Sequence, residues 1–104
     1  MSAPEKPPMA LPNYDTVGSV VWLRGEHDIF TLPGLWETVA RAIEFDDADV
    51  VVDLSAVDFM DASTIGVLVR ARTILAKRSR SLTLRAPSTS AVRVLGLCGV
   101  ATAA

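Results

Sequence analysis

The run Asp49-Val-Val-Val-Asp-Leu54 constrains this fold more than any other part of the chain. Consecutive β-branched residues of this kind make a central parallel strand whose two faces are both covered. A parallel strand needs a crossover, and a helical pattern precedes the run: Leu32, Leu35, Trp36, Val39, Ala42 and Ile43 recur at intervals of three and four. Thr31 can cap that helix. Pro33 is tolerated in its first turn, where the missing N–H would have had no partner, and the helix should stop before Asp46-Asp47. Further upstream, Val17 to Arg24 is rich in strand formers and ends at Gly25. Strand, helix and strand in this order form the unit that pairs in parallel through a right-handed crossover.

Downstream of the valines the chain changes chemistry. Asp61 and Ser63 have side-chain oxygens suited to the free N–H groups of a first helical turn, and an apolar helical pattern follows from Ser63 or Thr64 to Arg78. Val67, Leu68, Ala71, Ile74 and Leu75 define its core stripe. Ile65 and Val69 fall off that stripe, one turn apart and flanked by Arg72 and Ala76, and are expected at the surface as a partner contact. Ser81 to Arg85 alternates as a half-covered strand. Pro87-Ser88 then opens a last helix with Ala91, Val92, Val94, Leu95 and Cys98 as apolar positions and Gly99 as its stop. The fold class expected is α/β, a mixed and mostly parallel sheet of about four strands with helices packed on it.

A chain of 104 residues, half of them apolar, supports one domain with one core. Its first sixteen residues hold Pro4, Pro7, Pro8 and Pro12 without an apolar run. They are expected to form an extended, mobile tail rather than a signal peptide or a membrane span, leaving residues 17–104 as the domain; Asn13 to Thr16 could also add an edge strand. Cys98, the single cysteine, excludes an internal disulfide, and its apolar context predicts a buried structural thiol. All twelve acidic residues lie at or before Asp61, and seven of the ten basic ones lie between Arg70 and Arg93. A basic second half would suit nucleic acid, but no aromatic residue follows Phe59 to supply a stacking platform, so a solvated or protein-pairing face is expected instead.

Catalytic and metal chemistry find little support. His27 is the only histidine, too few ligands accompany it to hold a metal, and it is expected to face solvent in a loop. Asp61-Ala62-Ser63 is not a nucleophile elbow, and Asp58 and Asp61 suit a turn former and a helix cap better than a pair of catalytic carboxylates. No enzyme activity and no cofactor are expected.

Two motifs carry a resemblance. Leu23-x-Gly-Glu-x-Asp28, followed by Val52-Asp-Leu-Ser-x-Val-x-Phe-Met-Asp-x-Ser-x-x-Gly-Val67, resembles the STAS domain of bacterial anti-sigma factor antagonists, in order from about Val17 to Gly99. The usual centre of that family is Asp-Ser-Ser-Gly-Leu-Gly, which aligns with Asp61, Ala62, Ser63, Thr64, Ile65 and Gly66. The resemblance implies that Ser63 is the serine phosphorylated by a partner kinase, itself the anti-sigma factor. A phosphatase would act on phospho-Ser63, and Asp28, Asp61, Thr64, Ile65, Val69 and Arg72 would meet the partner. Ala62 and Thr64 depart from the pattern, and Thr64 sets a second hydroxyl beside the acceptor. The implied protein is a cytoplasmic binding switch without membrane insertion or direct contact with nucleic acid. A further strand and helix usual at the family's C-terminal end are expected to be missing. Small STAS proteins also serve as regulatory subunits of membrane lipid transporters, bound to the ATPase, which is the alternative reading.

Overall fold

The valines form the middle of the sheet. In the computed structural model, which describes residues 14–100, β3 (Val50–Met60) lies between β2 (Val20–His27) and β4 (Leu82–Arg85), parallel to both. β1 (Tyr14–Val17) joins β2 as an antiparallel edge, giving the order β1-β2-β3-β4. Gly18 opens the two-residue hairpin between them at φ +61°, a left-handed conformation natural to glycine. A 3-10 turn (Ile29–Thr31) and α1 (Leu32–Phe45) link β2 to β3, α2 (Ala62–Ala76) links β3 to β4, and α3 (Thr89–Leu97) follows β4. This is the mostly parallel α/β arrangement expected. Tyr14 to Thr16, grouped with the tail when the chain is divided at residue 17, are strand. The rest of the expected proline-rich tail, and the region beyond residue 100 where the family's last elements were expected to be missing, lie outside the described residues.

One row of side chains carries the core. Val21, Leu23, Val50, Val52, Leu54, Leu82 and Leu84 are buried together with Leu35, Val39, Ala42 and Ile43 of α1, Leu68, Ala71 and Leu75 of α2, and Ala91 and Leu95 of α3. Strand alternation sends the intervening residues to the other face. There the pairing aligns Trp22, Asp53 and Arg85 in one row across three strands. The Arg85 guanidinium lies 4.9 Å from the Trp22 ring centroid, and its Nε donates to Asp53 Oδ2 at 2.8 Å. Trp22 keeps 37% of its surface exposed, so the expectation that both faces of the valine strand are covered holds fully for only one. Basic residues of the second half pair with acidic or carbonyl groups elsewhere too: Arg78 bonds Glu44, and Arg80 bonds the Ala48 carbonyl.

Local chemistry sets the helix ends, with differences from expectation. Thr31 precedes α1 but gives it no side-chain bond, because its hydroxyl is engaged with the Asp28 backbone in a reciprocal capping box around the 3-10 turn. Ser88 caps α3 as expected, accepting from the Ala91 amide at 3.2 Å. At the other end of α3, Gly99 takes φ +70° while its N–H and that of Val100 return to Gly96 and Leu95. This Schellman turn folds Val100 back against the core, and Cys98, expected to be buried, is exposed. His27 also departs from expectation. β2 continues to residue 27 rather than ending at Arg24, and the imidazole is fully buried, its Nε2 3.2 Å from the Arg24 carbonyl oxygen and its ring beside Tyr14.

Candidate functional site

The site is built where two parallel strands end together. Asp61 donates its backbone N–H to the His27 carbonyl at 3.1 Å, which ties the start of α2 to the end of β2 and to the Asp28 turn directly after it. Open α/β sheets place their binding sites at such carboxyl ends. Asp61 has extended backbone and Ala62 is the first helical residue, so Asp61 is the N-cap of α2. The helix therefore begins a residue before the expected Ser63, with Asp61 in the capping role assigned to it.

One carboxylate oxygen organises the first turn. Asp61 Oδ1 accepts from the Ser63 hydroxyl at 2.5 Å, from the Thr64 amide at 3.2 Å and from the Thr64 hydroxyl at 3.4 Å. The Ser63 hydroxyl, more than any other group, holds the Asp61 carboxyl below the usual aspartate range; burial opposes the shift, and the Thr64 amide and hydroxyl reinforce it. A carboxylate with a depressed pKa is a weak base at neutral pH, so it orients the serine more than it activates it.

The two neighbouring hydroxyls have different fates. Thr64 is 0% exposed and belongs to the core side of α2, whereas Ser63 is only partly buried. The expectation that Thr64 offers a surface contact is corrected: its hydroxyl is turned inward onto Asp61. Ile65 is corrected as well. At 3% exposure it belongs to the core, because α2 rests on the stripe Thr64, Leu68, Ala71 and Leu75 with Ile65 at its flank, while Val67 and Ile74 are only half-buried. Val69 is 38% exposed, as expected. At about 100° per residue, Ser63 and Val69 stand about 120° apart, with Gly66 and Arg70 between them on the open face of the helix. Arg72 is half-buried on the same helix. Asp28 is half-buried too, and its carboxylate accepts from the Phe30 amide at 2.9 Å, so its visible task is to shape the turn beside Asp61.

The structure adds apolar residues that sequence reasoning missed. Phe30 is 88% exposed, with Ile29 and Phe59 also exposed; Ile29 and Phe30 directly follow Asp28, and Phe59 lies two residues before Asp61. The pairings Glu26 with Phe59 and His27 with Met60 place them at the strand ends that carry Ser63. The available signal was an apolar pair, Ile29-Phe30, inside a polar loop and outside any helical or strand period. Aromatic residues are enriched in protein-binding surfaces, and Phe30 and Phe59 stand exposed at this end of the sheet. Among the described residues, no group of three or more histidine, cysteine or carboxylate side chains converges to hold a metal, and no helix is long and apolar enough to cross a membrane.

Comparison with known proteins agrees with this architecture. A family model described as Mlab, STAS domain, matches residues 13–102, which includes every strand and helix among the described residues. No curated protein matches the chain. STAS domains are typically regulatory rather than catalytic and mediate protein–protein interactions. On a match that spans most of its length, the chain belongs to the STAS domain family.

Proposed function

We propose that this STAS domain is an anti-sigma factor antagonist: it binds an anti-sigma kinase while Ser63 is unmodified, which frees the sigma factor for transcription, and releases that kinase when Ser63 is phosphorylated. The observation that carries this reading is Ser63, which is only partly buried at the start of α2 while its neighbour Thr64 is fully buried. Phosphate at that position meets the N–H groups of the first turn and the positive end of the helix dipole, so the folded domain accepts it. A partner surface shaped to a neutral hydroxyl meets bulk and negative charge instead. On this reading Asp28, Asp61 and Val69 meet the partner, with Phe30 and Phe59 as apolar anchors and Arg72 at the far edge beyond Val69, and the reaction belongs to a cytoplasmic partner pair with a phosphatase to reset it. The experiment is to isolate the protein that co-purifies with this chain, add ATP, and map phosphate. Modification of Ser63 supports the reading, and a partner that binds but leaves Ser63 unmodified contradicts it.

A second reading is favoured by the description of the matching family model, Mlab, STAS domain. Here the same face would seat the ATPase of a lipid transporter, with Ser63 as a contact and no phosphoryl transfer. The same experiment separates the two, because an ATPase partner would hydrolyse ATP and leave Ser63 as it is.

A further inference from the structure

The single proton of the Ser63 hydroxyl is committed to Asp61. It forms the shortest of the three bonds to Oδ1, and the other two come from Thr64. Phosphoryl transfer removes that proton. In the transfer the Ser63 Oγ–H bond breaks and a bond forms from Oγ to the γ-phosphorus of a nucleoside triphosphate held by the partner. The bond from that phosphorus to the β–γ bridging oxygen breaks, a nucleoside diphosphate leaves with the electron pair, and the serine proton passes to solvent. The ester oxygen can then donate nothing, and a group of about −1.5 to −2 charge with strong acceptor oxygens stands where the hydroxyl stood.

Two anions now compete for the Thr64 amide, and like charges this close disfavour each other strongly. The phosphate is tethered inside the first turn and carries the larger charge. The carboxylate belongs to the N-cap, where rotation about χ1 can carry it outward. The backbone of Asp61 itself is held without that carboxylate: its N–H donates to His27, and its carbonyl accepts from Thr64 and Ile65. We propose that phosphorylation of Ser63 exchanges the cap of α2, the phosphate taking the Thr64 amide while Asp61 turns its carboxylate out to solvent. This rests on the reading of Ser63 as the modified residue, and it deepens that reading: the partner face would change at two residues, with a displaced carboxylate added to the new phosphate.

The test needs neither kinase nor partner if phosphoserine is placed at position 63 during translation. Asp61→Ala is then combined with both forms and urea midpoints are compared. The substitution should lower the midpoint of the unmodified protein and leave the phosphorylated protein unchanged or slightly more stable, because Asp61 no longer caps in that form. Three-bond couplings should also report a different Asp61 χ1 rotamer in the two forms. Equal loss of midpoint in both forms, or an unchanged rotamer, overturns the proposal. If Asp61→Ala does not fold, Asp61→Asn with the same couplings decides it. Failure of the isolated kinase reaction would contradict the proposed function, whereas these measurements concern the cap alone.

Discussion

Ser63 and Thr64 share one acceptor, Asp61 Oδ1, yet Ser63 is only partly buried and Thr64 is wholly enclosed. A kinase that needs an accessible oxygen therefore has one choice in this turn. Ser63→Ala should abolish phosphate incorporation. Thr64→Val, which keeps the shape and removes the hydroxyl, should leave incorporation at Ser63 intact at a cost of about 1 kcal/mol for the lost hydrogen bond. Phosphopeptide mapping of the two variants checks this, and label on Thr64 would contradict it.

Val69 and Ile65 differ in the same helix by burial alone, and this separates binding from folding. Val69→Asp should weaken partner binding by about 2 kcal/mol, the scale of an interface hot spot, while changing stability by roughly 0.5 kcal/mol, as surface substitutions do. Ile65→Asp places an unpaired charge in the core and should destabilise by about 3 kcal/mol or more. Paired urea melts and calorimetric titrations distinguish the two classes of effect.

The cap should show in the pH dependence of stability. Asp61 has a folded pKa below its unfolded value, so its contribution is present above the unfolded value and is lost as pH falls through the folded one. At neutral pH, Asp61→Ala should cost about 1 kcal/mol, the usual range for losing an N-cap. The gap between wild type and variant should narrow as the pH is lowered through the aspartate range. Denaturation curves at neutral and acidic pH measure it.

Gly34 tests the tie between β1 and α1. A β-carbon there would collide with the Tyr14 ring, so alanine, normally the better helix former, should destabilise this helix by about 1–3 kcal/mol through overpacking. In a Tyr14→Val background the same Gly34→Ala change should cost little or become favourable. A double-mutant cycle by chemical denaturation reads the coupling.

These positions also show where sequence reasoning reached and where it stopped. The order of elements followed from the valine run, the spacing of Leu35, Val39 and Ala42, and the cap residues Asp61 and Ser88, because each is a local rule that tertiary packing did not override. The rotation of α2 was not legible. Ile65, Val67, Leu68, Val69, Ile74 and Leu75 make it apolar nearly all round, and the core accepts the polar Thr64 in the stripe because Asp61 satisfies its hydroxyl. β3 continues through Asp53, Ser55 and Asp58, residues that locally favour turns, since pairing with β2 carries the strand on to Met60. The sequence points to a loop at His27 for the same reason: the length of β2 is set by its neighbour.

On the proposed function, the state of Ser63 controls partner affinity without unfolding the domain. Calorimetric titration of the isolated partner with the unmodified and the Ser63-phosphorylated chain tests it most directly. Phosphorylation should weaken binding by about 3 kcal/mol, more than a hundredfold, with the folded domain intact in both forms. Equal affinity of the two forms would contradict it.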